Sequence, residues 1–332
     1  MAERIVLVAG GENDADGVSA VEARLREPFG TAFDAAGNLW IVEMTAGNRL
    51  LKVDRKGVLT HVAGQLKPGL SDDSGPALKA SFNGPHNLAV LPNGDVLIAD
   101  TFNKRLRKVD AATGNMAAIP AFNTPAGRQQ PESPFCITLD ATGTRLYLAD
   151  LRRVWLLDLK SNTATVIAGN GQKGIPADGA LAADAPLADP RAVAPHGAGN
   201  VYILERNGNA LRVVDKEGRI RTVVNASGKR GATGDGGPAL AATMNGPKHL
   251  CVDRDGSVII ADAENNLIRR YQPKDGTIQR VAGTGPKGNG GVGGDPLKVQ
   301  LARPHGVTIH PETGELYITD SYNNRVLKVS KE

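Results

Sequence analysis

One pattern is written six times along the chain. Each copy opens on a proline, at Pro28, Pro85, Pro134, Pro190, Pro247 and Pro304, so successive copies start 57, 49, 56, 57 and 57 residues apart. A period held over the whole length marks a repeat architecture, in which one unit cannot bury its apolar face and neighbours must stack. Within a copy, an apolar run ends at a Gly-bearing turn (PNGD, RDGS, PETG) and a second run follows (VLIA, VIIA, LYIT), which reads as strand, tight turn, strand. An acidic residue closes the second run, at Glu43, Asp100, Asp150, Glu205, Asp262 and Asp320, and a third run follows a short loop.

Four copies then close on a fourth run with a small-residue ending, such as HVAG at His61 or RVAG at Arg280. The sixth copy stops after its third run, but Ile5 to Gly10 reads IVLVAG. The missing strand lies at the other end of the chain. These observations predict an all-β fold over residues 1–332: a six-bladed β-propeller of four-stranded antiparallel blades starting near 28, 85, 134, 190, 247 and 304. The N-terminal strand, residues 4–10, would complete the last blade and leave no long sheet edge exposed.

Bulk properties narrow the function. No run is long and apolar enough to span a membrane, and Met1 to Val8 already reads as closing strand with no signal peptide, so a monomer is expected whose compartment stays open: cytoplasmic for the chain as it stands, periplasmic or secreted if a leader was trimmed from it. The net charge of +4 is mild for 332 residues and aromatics make up only 4%. Nucleic-acid binders cluster basic residues with aromatics; here Lys52, Arg105, Arg107, Lys108, Arg153, Arg212, Arg269, Arg270 and Lys328 recur one to three per third strand, which reads as solvated outer strands and excludes nucleic acid as partner. Cys136 and Cys251, on inner strands of blades 3 and 5, read as free thiols.

The pattern P-x-x-[LV]-x-[VI]-x-x-x-G-x-[LV]-[YLI]-[IV]-[AT]-D-x-x-N-x-[RL] resembles the NHL repeat, with blades 2, 5 and 6 matching closely, a one-residue insertion in blade 1, no Asn after Asp150 in blade 3 and a loose blade 4. That family hosts enzymes and protein- or RNA-binding modules alike, so the repeat speaks for architecture and not for activity.

Function belongs to the positions where the copies differ. The residue after each proline starts an inner strand at one mouth of the channel, and these six are Phe29, His86, Phe135, Arg191, Lys248 and His305. His86 and His305 come from blades that flank blade 1, and two inward imidazoles suit a divalent ion, zinc or another transition metal before calcium. Arg191 and Lys248 would attract a carboxylate or phosphate and stabilise an oxyanion. The four aspartates that end second strands are expected to serve the following turn, whereas Glu43 and Glu205, longer by a methylene, are candidate ligands or proton carriers. His196 and His310 fall in turns at the opposite end, and strand alternation turns His249 away from the channel. Loops between blades, such as GLSDDSGPALKASF and GATGDGGPALAATM, predict one helical turn after an Asp-Gly bend, with the aspartates serving the backbone and not calcium.

His86 and His305 resemble the Pro-His zinc ligands of peptidyl-hydroxyglycine amidating lyase, although that enzyme uses a third histidine that this chain lacks. They are also similar to histidines of virginiamycin B lyase, a resemblance that implies pairing His86 with Asp100. No Ser-His-Asp set, phosphate-cradling loop or CxxC pair stands out. The expected function is metal-assisted hydrolysis or elimination on a small anionic, ester- or lactone-like molecule, with Arg191, Lys248, Glu43, Glu205 and Asp100 around the metal. The alternative is a non-catalytic propeller that binds a peptide, glycan or partner protein on its loop-rich face.

Overall fold

The computed structural model describes residues 3–120, 122–124, 130, 131, 133–197 and 199–331. The fold is a six-bladed β-propeller of antiparallel sheets. In blades 1 to 5 the four main strands run in sequence order from the inner edge outward, as in blade 2, with Pro85–Val90, Val96–Asp100, Arg105–Val109 and Met116–Ala117, whereas blade 6 takes its outer strand from the N-terminus. Blades 1 and 5 gain a two-residue fifth strand, Val18–Ser19 and Gly237–Pro238. Part of the distinct connection between blades 2 and 3, at 121, 125–129 and 132, lies outside the described residues.

The chain divides into two compact units. Unit 1, Met1–Ile119 with Lys287–Glu332, holds blades 6, 1 and 2; unit 2, Pro120–Pro286, holds blades 3, 4 and 5. In unit 1 the strand Glu3–Ala9 pairs antiparallel with Arg325–Lys331, Ile5 opposite Val329 and Leu7 opposite Leu327. This is the closure predicted from IVLVAG, and it covers the edge that blade 6 would otherwise expose.

The second strands Leu39–Glu43, Val96–Asp100, Val258–Asp262 and Leu316–Asp320 are buried at every residue and apolar up to their terminal acid, as expected of inner strands in a stacked sheet. In unit 1, Phe82, Ile98 and Leu88 of blade 2 pack with Val42, Leu50 and Ala63 of blade 1. In unit 2, Ile203, Leu211 and Val224 of blade 4 pack with Ala149 and Val154 of blade 3 and Ile260 of blade 5. The predicted helical turns are single 3₁₀ turns, Ala77–Lys79, Ala182–Asp184, Ala239–Ala241 and Pro296–Lys298, each burying its first residue against the blades.

In blades 1, 2, 4, 5 and 6 the terminal acid of the second strand ties the blade together. One carboxylate oxygen accepts the backbone N–H of the segment leading into the same blade: Arg26 for Glu43, Asn83 for Asp100, Ala188 for Glu205, Asn245 for Asp262 and Ala302 for Asp320, at 2.6 to 2.8 Å. In the closely matching blades the other oxygen accepts from the Asn three residues on, at 2.7 to 2.8 Å. A third-strand guanidinium completes the node, from Arg49, Arg107, Arg212, Arg269 or Arg325. The sequence reading of these cations as solvated is thereby corrected: Arg107 and Arg269 are fully buried, and Arg212 nearly so. Lys108 and Lys328 remain at the rim, paired with Asp95 and Glu315.

Removing one partner of such a node strands a buried charge, so Asp320→Ala is expected to destabilise the protein by about 3–5 kcal/mol. Denaturant unfolding measures it. Deleting Glu3–Ala9 is expected to lower the melting temperature and produce self-association in size-exclusion chromatography, as the freed edge of Arg325–Lys331 seeks a partner.

Candidate functional site

A bulge places the residues that follow the prolines. In blade 2, Pro85 pairs with Asp100 and Asn87 with Ala99, which leaves His86 as the extra residue. The same irregularity isolates Arg191 between Pro190 and Ala192, and Phe29 with Gly30 between Pro28 and Thr31. A bulge re-aims the extra side chain out of the pleat, so simple alternation does not hold here. In blade 6, His305 instead precedes the regular strand Gly306–Ile309 and donates its N–H to Thr319.

Two glycines then let the inner strands of unit 1 close up. A Cβ on Gly30 would lie 2.8 Å from Asn87 Cα, and one on Gly306 would run into the Phe29 carbonyl. The approach brings three rings together. Phe29 stacks on His305 with centroids 3.9 Å apart and planes at 17°, and meets His86 edge-on at 5.2 Å. Two further rings, both nearly half exposed, extend the row: Phe102 lies 5.5 Å from His86, and Tyr322 lies 5.8 Å from His305. The result is an arc of five rings in the order Phe102, His86, Phe29, His305, Tyr322. Arg303 and Lys287 stand over Tyr322 at 5.2 and 5.7 Å, adding positive charge at that end.

The His86 ring is oriented by its neighbour. Its Nδ1 lies 2.9 Å from the Gly84 carbonyl, which can only accept, so Nδ1 carries the proton and Nε2 is the basic nitrogen of the neutral ring. Gly84 is held in turn by the buried Asn48 of blade 1, whose Oδ1 accepts the Gly84 N–H at 2.9 Å. Asn209 in blade 4 and Asn324 in blade 6 make the same link to Gly246 and Glu27. Gly84 also has φ 58 and carries the Phe102 ring where a Cβ would be.

Unit 2 holds the other ring positions. The Arg191 guanidinium lies on the face of Phe135, 3.7 Å from its centroid, and its Nε is 3.1 Å from Asp189. Burial pulls the Arg191 pKa down to about 10, with the Asp189 charge opposing and Arg206 adding to the fall, so the group stays cationic at neutral pH. Lys248 Nζ is 3.4 Å from Glu264. His249 does not turn away as alternation suggested: its Nε2 is 3.8 Å from Cys136 on the inner strand of blade 3. Neither cysteine is in a disulfide, and burial pushes the Cys136 thiol up to about 11, which makes it inert.

Where the acids stand also differs from their sequence roles. Glu43 and Glu205 are fully buried in the same nodes as the aspartates, Glu43 with Arg49 and Glu205 with Arg212. Their extra methylene serves looser loops: in both blades a glycine, Gly47 or Gly208, packs directly on the carboxylate. Asp100 pairs with Asn83, Asn103 and Arg107. Burial raises the pKa of each of these acids, against the pull of their hydrogen bonds and arginines, and takes Asp262 to about 7. The loop aspartates are engaged too, Asp73 with Arg107 and Asp235 with Arg269, while Asp178 accepts from Thr222. Two imidazoles are short of the three protein ligands a catalytic zinc ordinarily takes. Among the described residues, no group of three or more His, Cys, Asp or Glu side chains is placed to hold a metal.

Phe102, Tyr322, Asn48 and Asp189 were not singled out from the sequence. The signal for the first two was present, since both occupy the third position of D-x-x-N, where blade 5 has Glu264.

Comparison with known proteins agrees with the repeat assignment. The NHL repeat model matches residues 82–109 and 301–329. NHL repeat-containing protein 2 of Bos taurus is 24% identical over 88% of this chain, and the chain spans 45% of that relative's length. Among solved structures, an auxiliary nutrient binding protein from Bacteroides thetaiotaomicron superposes with a TM-score of 0.71, at 16% identity, over 99% of this chain and 76% of that one. Virginiamycin B lyase from Staphylococcus aureus superposes with a TM-score of 0.56, at 13% identity, over 99% of this chain and all of that one. No helix among the described residues is long and apolar enough to cross a membrane.

A folded pKa near 7 against an ordinary 3.8 means that folded Asp262 binds more protons than the unfolded chain between those values. Its stabilising contribution is therefore full below pH 3.8 and lost as pH rises through about 7. Asp262→Asn, which stays neutral, is expected to flatten that part of the stability-versus-pH curve in denaturant titrations.

Proposed function

We propose that this NHL-repeat propeller acts on a small ester- or lactone-like molecule at the five-ring arc of unit 1, as a hydrolase or lyase with His86 as proton acceptor. The observation that carries the proposal is the pair of imidazoles, His86 and His305, both packed on Phe29 with half-exposed rings on either side. The fixed tautomer of His86 supports it, because a base needs a defined lone pair within reach of the proton it takes. In hydrolysis that proton comes from water as its oxygen attacks the carbonyl; in elimination it comes from carbon as the leaving group departs with the electron pair. Phe102 and Tyr322 offer faces on which a planar or apolar part of the ligand can lie. Metal assistance through His86 and His305 is a separate proposal. The donor set does not complete a catalytic zinc site, so imidazole chemistry carries the reading and elemental analysis tests the metal.

A second reading, a binding module without catalysis, is favoured by the exposure of Phe102 and Tyr322 and by the likeness in fold to an auxiliary nutrient binding protein. Aromatic faces of this kind suit a glycan or peptide.

A panel of esters, lactones and eliminable substrates separates the two. For a turned-over substrate, His86→Ala is expected to lower kcat by roughly 10²–10⁴-fold at an unchanged melting temperature. Phe102→Ala and Tyr322→Ala should act on KM. Turnover that survives His86→Ala would sink the catalytic proposal, and ligand binding without turnover, lost in the Phe102 and Tyr322 variants, would establish the module. About one equivalent of metal, lost in both His86→Ala and His305→Ala, would restore the metal mechanism.

A further inference from the structure

We infer that unit 2 carries a carboxylate-binding site on Arg191, built independently of the unit 1 arc. The guanidinium is fixed from two sides. Phe135 covers one face, and Asp189 stands beside Nε. Asp189 is itself committed elsewhere: its Oδ2 accepts from Arg206 Nε at 2.6 Å, and its backbone carbonyl accepts the Arg206 N–H at 2.9 Å. What it gives Arg191 is proximity of charge without alignment, since the buried Nε and Oδ1 form no hydrogen bond despite their 3.1 Å separation. Two guanidiniums therefore share one carboxylate, and the cluster keeps a net charge of +1.

That residual charge is costly where it stands. The Arg191 side chain is only 11% exposed, and its depressed pKa records a desolvation that Asp189 does not repay. An incoming anion would repay it through charge-assisted hydrogen bonds to a preorganised planar fork. The charge count selects the ligand. One carboxylate neutralises +1, whereas a phosphate carrying roughly −1.5 to −2 would leave excess negative charge beside Asp189. The ligand class is thus a small organic acid bound through a single carboxylate.

The test follows the Arg191 Nε–H resonance by heteronuclear NMR while acetate or propionate replaces chloride at constant ionic strength, with inorganic phosphate as the second arm. A saturable shift with carboxylate, weaker by at least about tenfold in Arg191→Gln as followed by neighbouring amides, is expected. Two variants read the charge count without touching the fork. Asp189→Asn, tolerated at φ 65 because Asn accepts the left-handed region, should tighten acetate binding several-fold. Arg206→Gln releases Asp189 to Arg191 and should weaken it. No saturation, tighter binding of phosphate, or affinities unmoved by Asp189→Asn and Arg206→Gln would overturn the inference. Loss of turnover at His86 bears on none of these readouts.

Discussion

The fold depends on a carboxylate at the end of the second strand in five of its six blades. The main chain of a buried strand is satisfied by the ladder, and the groups left over lie where the chain enters the blade and turns. There, in five of the six blades, one acid accepts the entering N–H and, with its other oxygen, meets a third-strand guanidinium. The arginine arrives from different positions: seven residues after the acid in Arg107, Arg212 and Arg269, five in Arg325 and six in Arg49. The charge matters to the architecture and the register of its donor does not.

Because these nodes fix the lead-in to each inner strand, they also fix where the first residue past the proline points. Five acids are thereby spent on structure. The position next to them is left to vary, and the two units fill it differently. Unit 1 gathers imidazoles and phenyl rings around Phe29, a surface suited to proton transfer beside a flat ligand. Unit 2 gathers cations, Arg191 on Phe135 and Lys248 on Glu264, a surface suited to negative charge.

How this differentiation arises is visible in small residues. Gly30 and Gly306 let the strands of blades 6, 1 and 2 approach until Phe29 touches both histidines. Asn48 reaches from blade 1 to fix Gly84, and Gly84 fixes His86. The geometry of one blade's site residue is thus set by the blade before it, a coupling that a reading copy by copy does not contain.

The architecture was legible because repetition constrains it. A proline, a turn glycine and an acid at constant spacing leave one way to stack the copies, and the strand missing from Pro304 onward is supplied by Ile5 to Gly10. The six positions after the prolines were legible for the same reason, as the places where the copies disagree. Tertiary structure decided the rest. Arg107 and Arg269 look like surface cations in a one-dimensional list, and only burial against Asp100 and Asp262 shows them as core. His249 faces Cys136 rather than turning away, because Lys248 precedes the regular ladder: the Lys248 N–H and the pairing of His249 both fall on Ala261, so alternation cannot be counted from Lys248. Which side chains meet at a site depends on distances between segments more than a hundred residues apart, and a pattern local to each repeat does not encode them.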